Sequence, residues 1–489
     1  MNRSLVVVGD ALLDRDVTGQ VNRISPDAPV PVFDEGEGRD RPGGAALTAA
    51  LAAAGGRPVV LVTAIGADAA GTRLRELLTQ AGVTLRELPY QGDTPQKIRL
   101  YAGGQVVLRL DRGASPGRPG EPDSAALAAL RSAGSVLVSD YGRGISRLGN
   151  LRRVLASLAA NRPVVWDPHP RGSAPVPGLR LVTPNEDELH AVPDGAAADI
   201  PGGRLAGAAA RAAAARRTWR AGAVAVTLGA DGALLAQGGT TPLVVPPPVR
   251  ASGDTCGAGD RFAASAAQAL ADGALVSEAV QIAVGDAARF VAAGAARAYT
   301  QAEPDGPDID EADLGAELGD TAPPAGIGLA QALAVAGRTR SQGGVVVATG
   351  GCFDLLHPGH VATLQAARQL GDCLIVCLNS DRSVRQLKGP DRPLVTQDDR
   401  ARLVAALSCV DAVAVFDETT PVALLSQLRP DVWVKGGDYY LDDPDSQPVL
   451  PEAQLIRGWG GQSVVVPYLD GHSTTSLIRA ARKHVGGNR

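Results

Sequence analysis

The chain has 489 residues, which is too long for one ordinary hydrophobic core and fits two or three domains. Its 45% hydrophobic and 20% charged residues are typical of a globular protein. The formal net charge of −5, without any block of lysines and arginines, argues against nucleic acid as a partner, and no apolar stretch is long enough to span a membrane. We therefore expect a cytoplasmic protein with two unequal domains. The oligomeric state stays open, a homodimer being one option.

Short apolar runs alternate with alanine-rich stretches from the first residues onward. This alternation predicts βαβ units and a largely parallel sheet whose strands are buried on both faces. The predicted strands are 5–8, 59–63, 135–139, 163–166, 181–183 and 223–228, and the predicted helices are 45–54, 71–81, 258–271 and 277–293.

Two segments, 17–33 and 96–110, interrupt this rhythm. Apolar and polar residues alternate in them, as in the run Val-Val-Leu-Arg-Leu of 106–110. Such alternation is typical of half-buried antiparallel strands. We expect these strands to project from the sheet as a small lid.

Residues 301–327 are acidic and rich in glycine, proline and aspartate, a composition typical of linkers. A new alternation begins at 345–349 and continues through 358–370, 373–379, 398–407, 412–416, 432–435 and 463–466. The sequence therefore predicts a second parallel α/β domain. We place the domain limits at 1–318 and 343–489, with a linker over 319–342.

The five cysteines are scattered without the paired spacing of metal ligands. We expect buried free thiols, a metal or disulfide role being the alternative. The positions are Cys256, Cys352, Cys373, Cys377 and Cys409.

A glycine-rich turn ends in an aspartate just before a predicted helix. Gly257, Ala258 and Gly259 could direct unpaired backbone N–H groups at an anion, and phosphate is the natural candidate. Asp260 would then lie in the first helical turn, where it could accept a proton from an attacking hydroxyl. The alternative is an ordinary turn whose aspartate favours the helix dipole.

The segment Gly-Asp-Thr-Cys-Gly-Ala-Gly-Asp of 253–260 resembles the C-terminal signature of the ribokinase-like carbohydrate kinases. Pro-Gly-Gly-Ala-Ala at 42–46 resembles their N-terminal di-glycine signature, and 8–14 with 23–32 is similar to the bacterial heptose 7-phosphate kinases. The resemblance implies a three-layer α/β/α domain with a small β lid and ATP as substrate. It also implies that Asp14, Gly43 and Gly44 hold sugar hydroxyls, although Asp14 could instead be a strand-end cap.

Asn185-Glu-Asp-Glu188 is similar to a segment by which that family orders Mg²⁺ and its water near the ATP phosphates. The resemblance therefore implies Mg²⁺, held through water by Asn185 and Glu188. Lys97 and Arg99 lie two apart, hence on one face of a strand, and could receive the phosphate already on the sugar. Solvated lid charges are the alternative. The sequence departs from the family at Cys256, where threonine is frequent, and at His169, where lysine is frequent.

In the second domain, 349–360 (Thr-Gly-Gly-Cys-Phe-Asp-Leu-Leu-His-Pro-Gly-His) follows a predicted strand and opens a helix. His357 and His360, at i and i+3, share one helical face. As donors they could stabilise charge developing on an α-phosphate bound at the helix N-terminus. A zinc pair or a pair of core histidines are the alternatives.

This segment resembles the His-x-Gly-His nucleotidyltransferases, which implies a Rossmann-like domain. Its Gly351, Phe353 and Asp354 would contact nucleotide or substrate. The residues Ser473, Thr474 and Thr475 of the 471–478 segment are similar to a Ser-Thr-Thr segment that donates hydrogen bonds to the β- and γ-phosphates.

Two further segments, 383–393 with Lys388 and 431–438 with Lys435, look like the heptose 1-phosphate adenylyltransferases. A flexible ammonium suits a phosphate whose charge changes during transfer.

The two resemblances together cover nearly the whole chain and have the domain order of the bifunctional heptose 7-phosphate kinase/heptose 1-phosphate adenylyltransferases. They imply phosphorylation of D-glycero-D-manno-heptose 7-phosphate at C1, then adenylyl transfer from ATP to heptose 1-phosphate. Sugar phosphates and ATP would be the partners. The alternatives are the same reactions on another sugar or nucleotide, and a regulatory protein with one inactive half.

Overall fold

The computed structural model describes residues 4–113, 117–192, 203–239, 241–249, 253–298, 326–437 and 451–467. The chain divides into two compact units. The first consists of Met1–Gly195, Ala214–Ala230 and Pro247–Asp308, and the second of Ala196–Ala213, Asp231–Pro246 and Ile309–Arg489. In the parts of the chain just given, no helix has both the length and the apolar character needed to cross a membrane.

Up to residue 298 the chain alternates strands with helices. The strands are β1 Leu5–Gly9, β2 Ala11–Ile24, β3 Pro31–Gly44, β4 Val59–Thr63, β5 Val83–Glu87, β6 Tyr90–Gln91, β7 Gln96–Ala102, β8 Gln105–Arg112, β9 Arg118–Pro119, β10 Ser135–Ser139, β11 Val164–Asp167, β12 Leu181–Val182, β13 Val224–Thr227, β14 Ala233–Ala236 and β15 Leu243–Val245. The helices are α1 Ala45–Ala53, α2 Ala69–Gln80, α3 Ser124–Ser132, α4 Gly149–Ala159, α5 Glu186–His190, α6 Gly203–Trp219, α7 Ala258–Ala271, α8 Val276–Ala292 and α9 Ala295–Ala298.

The first unit is built on a parallel sheet with the order β5-β4-β1-β10-β11-β12-β13. Every residue of β1 and β10 is buried. This is the pattern expected when helices cover both faces of a parallel sheet. The prediction of buried parallel strands alternating with helices is confirmed.

Gly9, the last residue of β1, lets this strand lie very close to β10. A Cβ atom there would lie 1.8 Å from the carbonyl oxygen of Ser139, so no larger residue fits without moving a strand. On its other side, Thr63 Oγ1 donates to Gly9 O at 2.7 Å and accepts from Ala11 N at 3.1 Å. The carboxyl ends of three neighbouring strands are thereby held together, which is where open α/β sheets place their ligands.

The predicted lid is a four-stranded sheet with the order β3-β2-β7-β8. The β2–β3 and β7–β8 pairs are antiparallel as predicted, but β2 and β7 are parallel. The wholly antiparallel prediction was wrong because β2 continues directly from β1 and runs outward from the carboxyl edge of the main sheet, and β7 runs in the same direction. Leu13 is paired with Gln96 at the start of both strands.

The remaining elements belong to the second unit. They are β16 Gly326–Ile327, β17 Val346–Gly351, β18 Cys373–Asn379, β19 Ala412–Phe416, β20 Val432–Gly436 and β21 Gln462–Val466, with helices α10 Leu329–Ser341, α11 Pro358–Arg368, α12 Asp381–Lys388, α13 Gln397–Ala405, α14 Val422–Leu428 and α15 Pro451–Gly458. The sheet order is β16-β19-β18-β17-β20-β21-β15-β14. All pairs are parallel except β14–β15, a hairpin that the sequence analysis did not predict.

The linker prediction was wrong from residue 326 onward. Residues 326–341 form β16 and α10, and Ala332 and Ala336 of this helix are fully buried in the core of the second unit. The alanine-rich helix packs because its small side chains allow close contact with the sheet. The other domain limits remain predictions.

All five cysteines are free, as predicted. Only Cys373 and Cys377 are fully buried, since both lie on β18, whose residues are all enclosed.

We predict that Gly9→Ala lowers the free energy of unfolding of the first unit by about 3 kcal/mol, because the added methyl overlaps the Ser139 carbonyl. Gly285→Ala is the matched control. Its Cβ would meet Arg289 Nη1 at 3.5 Å, an ordinary contact within α8, so a gain of about 0.5–1 kcal/mol is expected. Calorimetric unfolding of both variants checks this, and wild-type stability of Gly9→Ala would contradict it.

Candidate active sites

Asp260 lies in the first turn of α7, where the sequence predicted it. Gly257 is the residue before the helix and has φ 83°, a left-handed conformation that glycine adopts without strain. A side chain at Gly257 would approach Leu47 Cδ2 at 3.0 Å. The turn therefore requires glycine. The prediction that Ala258 offers an unpaired N–H was wrong, because Ala258 N donates to the carbonyl oxygen of Thr255 at 3.0 Å. Gly259, the next residue of the helix, lines the cavity described below and is placed to meet an anion.

The Asp260 carboxylate is buried and held by two hydroxyl groups. Thr48 Oγ1 donates to Oδ1 at 2.5 Å, and Tyr141 Oη lies 2.9 and 3.0 Å from the two carboxylate oxygens. Burial raises the pKa of Asp260 to about 6, and the hydroxyl donors together with Lys97 oppose the rise. A carboxylate with this pKa is ionised at neutral pH yet more basic than an exposed one, as a general base requires.

A cavity of about 190 Å³ opens beside Asp260 and Gly259 in the first unit. Asn185 and Glu188 line it at the start of α5. The two are bound to each other, since Asn185 Oδ1 accepts from Glu188 N and Glu188 Oε2 accepts from Asn185 N, both at 2.8 Å. The structure thus brings together the predicted base, the glycine turn and the Asn-x-x-Glu segment.

Asp167, the last residue of β11, also lines this cavity, and the sequence analysis did not select it. Thr183 Oγ1 donates to its Oδ1 at 2.8 Å. Burial, followed by repulsion from Glu188 and Asp260, raises the pKa of Asp167 well above its usual range. Burial likewise raises the pKa of Glu188 to about 7. The cavity therefore concentrates carboxyl groups that a cation would stabilise in the ionised form.

His169 departs from the family's lysine and lies in the same cavity. Its Nδ1 accepts from Arg171 N at 3.1 Å, and burial together with Arg171 lowers the pKa of the imidazole. The ring is therefore neutral at pH 7, and with Nδ1 acting as an acceptor its proton is on Nε2.

Asp14 lies on β2, beside the di-glycine segment. A Cβ on Gly43 would lie 2.8 Å from Asp14 Cγ, so the absent side chain leaves the carboxylate accessible from that direction. Gly44 has φ 57° and connects β3 to α1. Arg41, which the sequence analysis missed, donates to Asp14 Oδ2 at 2.6 Å. It is nearly fully buried, with 6% of its surface exposed, and Asp14 and Asp16 raise its pKa although burial opposes this.

Lys97 and Arg99 lie on one face of β7 as predicted, but their surroundings differ. Arg99 Nη1 is 3.5 Å from Asp14 Oδ2, and Arg99 Nη2 is 3.5 Å from Cys256 Sγ, so this guanidinium joins the acidic cluster. Lys97 Nζ lies 5.0 Å from the centre of the Tyr141 ring. Burial lowers the pKa of Lys97, and neither side chain is a fully solvated lid charge.

His357 and His360 lie at the N-terminus of α11 in the second unit. His357 is the residue before the helix, and Pro358 occupies the first helical position. The two imidazole rings stack with their centres 3.8 Å apart, and His360 also contacts Phe353, 5.2 Å between ring centres. Burial, then the neighbouring His357 and Lys388, lowers the pKa of His360 to about 4. His360 is therefore neutral at physiological pH and can act only as a neutral donor.

Asp354 holds a loop of its own chain. Its carboxylate accepts from the side chain of Arg392, from Leu394 N at 2.7 Å and from Val395 N at 3.1 Å. Burial alone would raise its pKa, but these donors keep the pKa of Asp354 below its usual value. This carboxylate therefore fixes the segment that follows α12. The sequence analysis had expected Asp354 to contact nucleotide or substrate instead.

Arg400 is a second residue that the sequence analysis missed. It is completely buried, and it donates to the carbonyl oxygens of Val395 at 3.0 Å and Asn379 at 2.9 Å and to Asp381 Oδ1 at 2.8 Å. It also donates to the carbonyl oxygen of Cys352. This arginine joins the loop after β17 to the loop before α13.

The other predicted residues of the second unit are only partly brought together. Lys388 ends α12 and acts electrostatically on His360. Lys435 Nζ lies 3.6 Å from Glu452 Oε1 and 5.2 Å from the centre of the Trp433 ring. A Cβ on Gly351 would meet the Phe353 ring at 3.0 Å. Ser473, Thr474 and Thr475 lie outside the described residues.

Comparison with known proteins agrees with the two-part organisation. Residues 2–301 match the model of the pfkB family carbohydrate kinases, and residues 348–480 match the cytidylyltransferase-like family. Bifunctional protein HldE of Streptomyces coelicolor is 56% identical over 477 residues, covering 98% of this chain and 96% of the relative. Bifunctional protein HldE of Azorhizobium caulinodans is 39% identical over 490 residues, covering 98% of each. The predicted fold class and both predicted enzyme families are confirmed.

We predict that the His360 ring titrates with a pKa of about 4, and so stays largely neutral above pH 5, because burial and its neighbours disfavour the charged form. Carbon-13 NMR of ring-labelled histidine in the full chain, titrated from pH 8 to 4.5, checks this. The His360 signal is assigned by its loss in His360→Gln. A midpoint near the ordinary value of about 6.5 would contradict the prediction.

Proposed function

This chain belongs to the HldE family of bifunctional carbohydrate kinases and nucleotidyltransferases of heptose activation, and on that basis we propose which reaction each of its sites performs. The first unit transfers the γ-phosphoryl group of ATP to C1 of D-glycero-D-manno-heptose 7-phosphate. The second transfers the adenylyl group of another ATP to heptose 1-phosphate, giving ADP-heptose and pyrophosphate. A separate phosphatase has to remove the 7-phosphate between the two steps. We also propose a cytoplasmic location, where ATP and sugar phosphates meet.

The observation that carries the kinase proposal is the buried Asp260 carboxylate beside the cavity at the N-terminus of α7. In the reaction Asp260 accepts the proton of the C1 hydroxyl while the C1 oxygen attacks the γ-phosphorus and ADP leaves. The N–H groups of Gly257 and Gly259 face the phosphate and stabilise the charge that develops on it, whereas that of Ala258 is bonded to Thr255 O. The pKa of about 6 keeps Asp260 in the ionised form that this role needs.

The sugar lies against Asp14, Gly43 and Gly44 in this proposal. Among the described residues, nothing donates a hydrogen bond to Asp14 Oδ1, whereas Oδ2 is taken by Arg41. A buried acceptor without a donor is costly, and a sugar hydroxyl would satisfy it. Arg41 and Arg99 thus hold the carboxylate, and Lys97 remains to receive the phosphate or the developing charge.

Mg²⁺ accompanies ATP in this proposal. The carboxyl groups of Asp167 and Glu188 repel each other in the cavity, and the pKa of each is raised, which fits a cation partner. In the described part of the chain no three His, Cys, Asp or Glu side chains are grouped to hold a metal directly, so we propose that Asp167, Asn185 and Glu188 hold the ion through its water. The ion supplies positive charge to the transferring phosphoryl group.

For adenylyl transfer, the sugar 1-phosphate oxygen attacks the α-phosphorus and pyrophosphate leaves. His357 and His360 donate to the α-phosphate oxygens at the N-terminus of α11, where the helix dipole adds to their effect. Lys388, Lys435 and the Ser473-Thr474-Thr475 segment contact the β- and γ-phosphates and the sugar phosphate. Gly351 and Phe353 shape the loop on which the nucleotide rests.

The direct test is to incubate the purified chain with heptose 7-phosphate, ATP and Mg²⁺ and to follow the reaction by phosphorus-31 NMR. A new anomeric phosphate is expected, and ADP-heptose after addition of a 7-phosphatase. Fructose 6-phosphate and mannose 6-phosphate serve as competing acceptors. Faster phosphorylation of either competitor would favour another sugar.

We predict that Asp260→Asn lowers kinase turnover about 10²- to 10⁴-fold and leaves adenylyl transfer unchanged, because the amide cannot accept the hydroxyl proton. Asp272→Asn, at the exposed end of the same helix, is the matched control and keeps both activities. Both half-reactions are measured separately with heptose 7-phosphate and heptose 1-phosphate. Kinase turnover within tenfold of wild type would exclude Asp260 as the base.

We predict that His357→Ala and His360→Ala each lower kcat of adenylyl transfer about 10²-fold with a smaller change in KM, since a donor to the transition state is lost. Lys435→Ala should instead mainly raise KM, because the ammonium binds a ground-state phosphate. Kinase activity of the same variants is the internal control. Stoichiometric zinc that is lost together with activity in His357→Ala would point to a metal site instead.

A further inference from the structure

Tyr141 follows β10 and contacts the proposed base directly. Its hydroxyl lies 2.9 Å from Oδ1 and 3.0 Å from Oδ2 of Asp260, so one proton is shared between the two oxygens. Burial, together with the negative charge of Asp260, raises the pKa of the phenol well above its usual range. Tyr141 therefore keeps its proton and acts as a donor at any pH at which the protein works.

The backbone of Tyr141 is fixed by one buried carboxylate. Asp10 Oδ2 accepts from Tyr141 N at 3.0 Å and from Arg143 N at 2.9 Å, and Asp10 Oδ1 accepts from Ile145 N at 3.2 Å. The next residue is fixed as well, because Asp140 Oδ1 accepts from Gly142 N at 2.8 Å. The loop that carries Tyr141 therefore has little freedom to move.

The phenol ring packs against residues of the proposed sugar site. A Cβ on Gly44 would lie 3.3 Å from Tyr141 Cδ2, so the ring rests against the di-glycine segment. Lys97 Nζ lies 5.0 Å from the ring centre, and the His169 ring is stacked at 6.2 Å. The ring cannot rotate away from Asp260 without displacing these neighbours.

We infer that Tyr141 is a positioning residue for Asp260, orienting both carboxylate oxygens and holding the group ionised until it accepts the proton of the acceptor hydroxyl. This inference rests on the kinase reaction proposed above. During the reaction the proton passes from the sugar hydroxyl to Asp260, and Tyr141 keeps its own. No covalent bond of Tyr141 forms or breaks.

The physical reason is the balance of charge at Asp260. Burial favours the neutral carboxylic acid, whereas each hydrogen bond donated to the carboxylate favours the ionised form. Thr48 is the other donor, and it is itself adjacent to Ser139 Oγ at 3.1 Å. Removing the Tyr141 donor therefore raises the pKa of Asp260. The other charged groups that act on Asp260 are Lys97, Asp14, Asp167 and Glu188.

The test is Tyr141→Phe in the full chain, because it removes one oxygen and keeps the ring. kcat/KM for heptose 7-phosphate is measured from pH 5 to 9. In wild type it should fall below about pH 6, where Asp260 becomes protonated. In the variant this acid limb should move up by about one pH unit, the size of a lost hydrogen bond to a charged group. KM for ATP and the rate of adenylyl transfer should not change.

Tyr90→Phe is the matched control. Tyr90 lies in the same unit, and its hydroxyl is 3.4 Å from the carbonyl oxygen of Asp93 rather than near Asp260. The acid limb of the kcat/KM profile of Tyr90→Phe should coincide with that of wild type. Replacing Tyr141 by 3-fluorotyrosine gives a second variant with the opposite sign, since the more acidic phenol is a stronger donor and should move the limb down.

A readout without turnover separates this inference from the reaction itself. The pKa of Asp260 is read from its carboxyl carbon-13 signal in the absence of substrate. A higher pKa in Tyr141→Phe supports the inference even if heptose 7-phosphate proves not to be the acceptor. An unchanged pKa, or acid limbs unmoved in both Tyr141 variants, overturns it.

Discussion

The buried carboxylate of Asp10 is the constraint on which the first site depends. It accepts three backbone N–H groups from a loop more than 130 residues away in sequence, and so fastens the end of β1 to the segment after β10. Burial raises the pKa of Asp10, and the three donors oppose the rise. Gly9, directly before it, lets the two strands approach closely enough for these bonds to form. Tyr141, and through it Asp260, is placed by this arrangement.

In the second unit Asp354 likewise fixes a loop through a buried carboxylate. Its carboxylate also binds backbone N–H groups of a distant loop, and the fully buried Arg400 adds bonds to carbonyl oxygens of the same region. Hydrogen bonds to a charged group contribute about 1.5–3 kcal/mol each, so Asp10 and Asp354 stabilise the segments that they bind. In both units a buried carboxylate fixes a loop close to the residues proposed to react.

The sequence was sufficient to predict features that depend on neighbouring residues. It was insufficient to predict contacts between residues far apart in the chain. The helix starts at Ala258 and Pro358 were predictable because a glycine or a proline marks each of them within a few residues. Tyr141 was not predictable, because its partner Asp260 is 119 positions away and nothing near Tyr141 indicates the contact. Arg41 and Arg400 were missed for the same reason. The lid's parallel β2–β7 pair could not be read from alternation, which is identical in parallel and antiparallel strands.

Lys435, which we propose contacts a phosphate, is engaged in an ion pair with Glu452. The ammonium is already balanced by a carboxylate 3.6 Å away and lies over the Trp433 ring. A phosphate that contacts Lys435 weakens the ion pair with Glu452 at the same time. The net binding free energy is therefore only the difference between the Lys435–phosphate and the Lys435–Glu452 interactions. When the phosphate leaves, Glu452 regains its partner. In the proposed reaction, an exchange of counter-ions of this kind would lower the affinity for the phosphate and ease its release.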